Sequence, residues 1–148
     1  MTVPVLSAAK RLSSRSGWTL SNLELQKILY LAHMFYLGRN NGQPLIPGHF
    51  EAWEYGPVHP DLYHRVKVFG SDPVQNIFHG YRELEESPER DILDEAYDSL
   101  GKAGPGRLVN ATHRRGGAWD INYIPGVRHC TIPNEDILNE YRGLNDGD

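Results

Sequence analysis

From Ser21 to Leu37 the chain reads SNLELQKILYLAHMFYL, a helix start followed by apolar residues on nearly every face of the helix. Ser21 and Glu24 form a capping box, in which the serine hydroxyl reaches the Glu24 N–H and the glutamate reaches back. Leu25, Ile28, Leu29, Leu31, Ala32, Met34 and Phe35 leave little polar surface. A helix so apolar is stable only when other elements surround it, which makes it the expected centre of the domain. Gln26 and Lys27 interrupt the run and are expected to be held internally. An unpaired buried ammonium is costly, so Lys27 is expected to find a carboxylate, with Glu54 the candidate.

Upstream, Val5, Ala8, Ala9 and Leu12 share one face of a helix predicted over Val3 to Arg15 and ended by Gly17. Downstream, Asn40 to Pro44 breaks the central helix. Phe50-Glu51-Ala52-Trp53-Glu54-Tyr55 then alternates with a period of two, the mark of a short strand, and Gly56-Pro57 is expected to stop it. Pro60 opens a helix over Asp61 to Phe69. A helix starting at Ser87-Pro88 carries the buried stripe Ile92, Leu93, Ala96, Tyr97 and Leu100. Pro105 to about His113 is a further short helix, and Trp119 and Tyr123 anchor a loose connection. Val127 to Thr131 reads as a second strand and Pro133 to Tyr141 as the last helix. Leu144 to Asp148 reads as a flexible tail after a domain over residues 1–143. The expected fold is mainly α: a single compact domain of five to six helices around a central apolar helix, with a minimal two-stranded antiparallel β ribbon.

Composition narrows the function. A chain of 148 residues fits one domain that buries roughly 68–70% of its unfolded surface, enough for a full core. The net charge of −4 is a poor start for coating nucleic acid. Cys130, the lone cysteine, supplies neither an internal disulfide nor a cysteine-rich zinc site. No apolar run is long enough to span a membrane. Lys10 and Arg11 follow the first apolar residues, the reverse of a secretory signal, so a cytoplasmic location is expected. The histidines match no metal-ligand spacing: His59 and His64 do not share a helical face, and His33 reads as a satisfied core histidine or a partly exposed one. No nucleophile elbow, phosphate loop or dinucleotide fingerprint is present. No metal or cofactor is expected.

Two features point toward partners. Between Glu83 and Asp98 there are eight acids and one base, whereas the first 43 residues hold five bases and one acid. That asymmetry either aids solubility as a solvated face or steers a partner protein. Trp53-Glu54-Tyr55-Gly56-Pro57-Val58-His59-Pro60 is stiffened by two prolines, so it loses little entropy on engagement. Trp53, Tyr55, Gly56, Pro57, Val58 and His59 are therefore candidate partner contacts. The simpler alternative packs Trp53 and Tyr55 on opposite sides of neighbouring helices.

Three blocks resemble the Panacea domain, the SocA-like antitoxin domain of phage-associated and toxin–antitoxin proteins. Leu23 to Ala32 is similar to that family's L-x-LQKLLYFA helix. Phe50 to Val58 matches its F-E-A-W-x-Y-G-P-V turn, with Pro60 and Tyr63 in register. Leu108 to Thr112-His113 with Trp119 resembles its E-L-x-x-x-T-H-x-x-x-x-W block, although Arg107 stands where an acid is usual and Gly116-Gly117 enlarges the turn. The resemblance runs from about residue 5 to 142 and marks Gln26, Lys27, Glu54, His113 and Trp119 as its structural motif. It implies a non-enzymatic antitoxin that binds a cognate toxin, with delivery to an AAA+ protease as an additional mode. Two other readings stand beside it. One is a small hydrolase or transferase using His59 or His113; the other is a DNA-binding autoregulator, which the acidic total disfavours. Oligomeric state and the toxin's identity stay open.

Overall fold

The computed structural model describes residues 2–146, with side chains described through Leu144. Helix α1 (Val5–Arg15) leads into α2 (Asn22–Arg39), followed by strands β1 (Phe50–Trp53) and β2 (Gly56–Val58). Next come α3 (Pro60–Val66) with a 3-10 turn (Lys67–Phe69), α4 (Pro88–Leu100), α5 (Pro105–Thr112) and α6 (Ala118–Asn122). Strand β3 (Thr131–Ile132) and α7 (Asn134–Asp146) complete the described chain. The fold is mainly helical.

Helix α2 is the hub, with α1, α3, α4, α5, α7 and β2 all packed on it. Its capping box forms as the sequence predicts, with the Glu24 N–H donating to Ser21 Oγ at 3.2 Å and the Ser21 N–H to Glu24 Oε1 at 3.1 Å. Apolar side chains are buried on all its faces, Leu25, Ile28, Leu29, Met34 and Leu37 among them. Helix α7 approaches closely because α2 carries Gly38 at the crossing, where a Cβ would land 2.1 Å from the Tyr141 ring. His33 is a core histidine. It sits against Phe50, its Nε2 lies 2.9 Å from Asn134 Oδ1, and burial lowers its pKa to about 4.

Four expectations change. The strand does not end at Gly56-Pro57. It ends at Trp53 and the chain turns at Glu54-Tyr55, the tip of a hairpin in which Trp53 faces Gly56 and Ala52 faces Pro57, so Gly56-Pro57 opens the next strand. Proline is tolerated in β2 because the sheet order is β2-β1-β3, which makes β2 an edge strand. Ala52 also directs its N–H away from β2, to Cys130 O at 2.8 Å, so it needs no acceptor from Pro57. The ribbon therefore has three strands, and the one read at Val127 to Thr131 narrows to Thr131–Ile132, paired with Phe50 and Glu51. The connection around Trp119 is helical, a seventh helix too short to show periodicity. Finally, α7 continues to Asp146 where a tail from Leu144 was expected, and the last two residues of that tail lie outside the described residues.

The charge asymmetry is internal. Arg11 on α1 grips Asp94 on α4 through two hydrogen bonds of 2.7 Å. Arg15 does the same with Asp98, and Arg39 on α2 with Glu95. The basic start of the chain and the acidic α4 pair with each other along the rim of the apolar stripe formed by Ile92, Leu93 and Ala96.

Candidate functional site

An edge strand packed against an apolar helix carries backbone groups that neither water nor a neighbouring strand satisfies. Gln26 and Lys27 answer that need. Lys27 Nζ donates to Pro57 O at 3.1 Å. Gln26 Oε1 accepts from the His59 N–H at 2.8 Å, and its amide reaches His59 O at 3.4 Å. Both side chains are only 1% exposed. The expected Lys27–Glu54 pair does not form: Glu54 sits exposed at the hairpin tip, and Lys27 meets a carbonyl instead. With no carboxylate against it, burial lowers the Lys27 pKa to about 7.

The opposite side of the hairpin is held by α5 and α6. Trp119 Nε1 donates to Trp53 O at 2.7 Å, and the His113 ring stacks on the Trp119 indole with centroids 3.7 Å apart. Burial holds the His113 imidazole below its ordinary pKa, opposed by a hydrogen bond to the Tyr55 backbone. Gly56 is the meeting point. Its φ of +118° suits glycine alone, and a Cβ there would stand 2.6 Å from Lys27 Cε, 3.1 Å from Thr112 Oγ1 and 3.2 Å from His113 Nε2. Three sequence blocks, more than 80 residues apart at their extremes, converge on one glycine.

The hairpin candidates divide by burial. Gly56, Pro57, Val58 and His59 are buried, so the rigid turn offers a visitor Tyr55, 64% exposed, and the half-buried Trp53. Burial follows from the same packing: β2 lies on α2, and His59 Nε2 contacts Pro47 O at 3.0 Å. Trp53 is itself braced by Tyr63, with centroids 4.6 Å apart, and by the Arg128 guanidinium 4.6 Å from its ring. Beside the hairpin opens a cavity of about 590 Å³, floored by the α2 start and Lys27 and walled by Trp53, Tyr55, Tyr63, Tyr123 and Arg128. Sequence reasoning missed Arg128 and the cavity role of Tyr63 and Tyr123, because nothing local in the chain signals that a loop after α6 folds back over Trp53. Neither His59 nor His113 lines this cavity, and among the described residues neither imidazole hydrogen-bonds a carboxylate.

The sequence profile described as "Antitoxin SocA-like, Panacea domain" matches residues 25–120, a stretch that holds the second and third blocks and the first from Leu25 on. The chain belongs to this family. A curated Panacea relative, the Antitoxin SocA of Caulobacter vibrioides (strain NA1000 / CB15N), is 35% identical across 75% of this chain and 68% of its own length. No solved structure matches the chain. In this Panacea protein, α1 and α7 fall outside the matched residues, yet both pack directly on α2.

Proposed function

We propose that this protein is an antitoxin that neutralises a toxin encoded beside it by binding it directly, as a folded, non-enzymatic partner in the cytoplasm. Membership of the SocA-like antitoxin family carries the reading. The arrangement at the hairpin supports it. Buried side chains hold the turn in one conformation, so docking on Tyr55, Trp53 and the adjoining cavity loses little entropy. For the hydrolase alternative, no histidine among the described residues lines the cavity. The autoregulator alternative draws no support from the basic start of the chain, since Arg11, Arg15 and Arg39 are engaged by α4. No helix among the described residues is long and apolar enough to cross a membrane.

Co-expression with the neighbouring reading frame tests the proposal. Growth arrest by that product alone, relieved by this chain with a complex recovered on pull-down, is the expected result. A harmless neighbour with no complex overturns it. The second mode, hand-over of the bound toxin to an AAA+ protease, separates from steric blockade by the toxin's lifetime: delivery shortens it when this chain is present, and blockade leaves it unchanged.

A further inference from the structure

Counter-charge runs out along one stretch of the chain. Residues 102–128, which include α5, α6 and their flanking turns, hold five Lys or Arg against one acid, Asp120, in a chain whose net charge is −4. The five cations, Lys102, Arg107, Arg114, Arg115 and Arg128, are all exposed. Whereas α4 grips Arg11, Arg15 and Arg39, only Arg114 of these five comes within ion-pair distance of an acid among the described residues, Glu140 at 3.9 Å. The carboxylates nearby are already engaged. Asp120 accepts the Gly116 N–H at 2.8 Å, Glu140 the Ala118 N–H at 2.8 Å and Asp136 the Asn122 amide at 3.0 Å. Glu54, at the hairpin tip, is the acid left exposed at the border of the cavity.

Apolar side chains stand among these cations. Helix α6 runs between the hairpin cavity, lined by Tyr123, Val127 and Arg128, and a second hollow of about 360 Å³, lined by Arg114, Arg115, Ile121 and Leu144. Ile121 is 60% exposed and Ile124 55%, and Val127, Leu144 and the hairpin's Tyr55 are exposed around them. Elsewhere among the described residues the exposed large apolar side chains are Val68 and Ile77, and neither lines a hollow. Apolar surface gathered in one place and rimmed by charge marks a face that another molecule covers. Its backing is fixed: Glu140 holds the start of α6, and Trp119 ties that helix to Trp53 O at 2.7 Å. Docking there orders little that is not already ordered.

We propose that the face running from Arg114-Arg115 across Ile121 and Ile124 to Arg128 receives an acidic surface of the toxin with apolar side chains at its centre. Carboxylates of the toxin supply the counter-charge that the fold withholds from these guanidinium groups, while its apolar side chains cover the two isoleucines and Val127. A nucleic acid would match the cations but leave that apolar centre uncovered, which favours a protein. This inference rests on the antitoxin reading for the identity of the partner.

Binding of the neighbouring gene's product to the full chain tests it. Arg115→Glu with Arg128→Glu, one beside each hollow, is expected to weaken the Kd about 100-fold or more with Tm unchanged. Arg114 is left in place because the Glu140 carboxylate lies beside it. Arg82→Glu makes the same kind of charge change beside α1, where Lys10 holds Tyr81 O, and is expected to stay within about threefold. Ile121→Ser with Ile124→Ser is expected to cost about tenfold. Raising salt from about 0.05 to 0.5 M is expected to slow wild-type association about tenfold or more and to leave the Arg115→Glu, Arg128→Glu rate nearly flat. Undiminished binding by that charge-reversed variant overturns the proposal, as does an equal loss from Arg82→Glu or a wild-type rate indifferent to salt; in each case a complex still forms and the antitoxin reading stands. Should the charge-reversed variant fail to fold, Arg115→Gln with Arg128→Gln decides, at an expected loss of about tenfold. Wild type that fails to bind the product ends the antitoxin reading, and the toxin as occupant of this face with it. A DNA duplex of about 30 base pairs from upstream of the reading frame is expected to bind only weakly at about 0.15 M salt. Tight duplex binding that the charge reversal abolishes, with toxin binding kept, gives the face to nucleic acid and overturns the proposal.

Discussion

Where α4 meets α1 and α2, Arg11, Arg15 and Arg39 reach carboxylates near the surface, whereas where α2 meets the hairpin, Gln26 and Lys27 reach main-chain atoms in the interior. The first set joins side chain to side chain in partial contact with water, so each pair competes with good hydration and contributes little. The second set satisfies backbone groups that have no alternative, so losing a partner leaves an orphaned donor or acceptor. The two kinds of polar contact thus carry unequal weight. What decides the weight is whether water stands ready to replace the partner.

The largest expected effect comes from protonation at the interior junction. Lys27 has a folded pKa of about 7, below the ordinary 10.5 it regains on unfolding. Below about pH 7 both states hold the proton. Between there and 10.5 only the unfolded chain does, so stability rises with pH across that window, by about 4–5 kcal/mol from this group. Denaturant titrations at pH 6.5 and 9.5 check the sign, and Lys27→Met is expected to flatten the slope. Gly56→Ala comes next, at about 2–4 kcal/mol, since the added methyl meets Lys27 Cε and the left-handed backbone disfavours it. The companion Lys27→Met, Gly56→Ala variant sharpens the assignment: measured by chemical denaturation, the double variant is expected to recover part of the loss. Trp119→Phe keeps a ring against His113 but removes the indole donor to Trp53 O, with an expected cost of about 1–3 kcal/mol by the same measurement. Arg39→Ala on the exposed rim is expected to cost about 1 kcal/mol or less, and to vanish as a difference in high salt. A rim substitution as costly as Trp119→Phe breaks the contrast between the two regions.

The same contrast explains what could be read from the chain. The capping box at Ser21, the apolar girdle of α2 and the stripe on α4 are local patterns, and each element forms where its period places it. The hairpin was obscured because Gly56-Pro57 looks like a terminator until β2 is known to be an edge. Lys27 was correctly expected inside, but its partner was sought among charges, when the group in need was a carbonyl 30 residues away. The acid and base blocks read either as a solvated face or as a means of steering a partner. They turn out to face one another, a fact that only the packing of α4 beside α1 makes visible. Arg128 and the cavity it helps to enclose depend on a loop whose course no periodicity encodes.

Gln26 and Lys27 also close off one mode of recognition. With the outer carbonyl of Pro57 and both main-chain atoms of His59 already engaged from within, an incoming polypeptide cannot extend the sheet at β2 by annealing a strand to it. Selectivity on this side falls to the side chains that fringe the opening, and those can diversify from one lineage to the next without unbuttoning the frame beneath them.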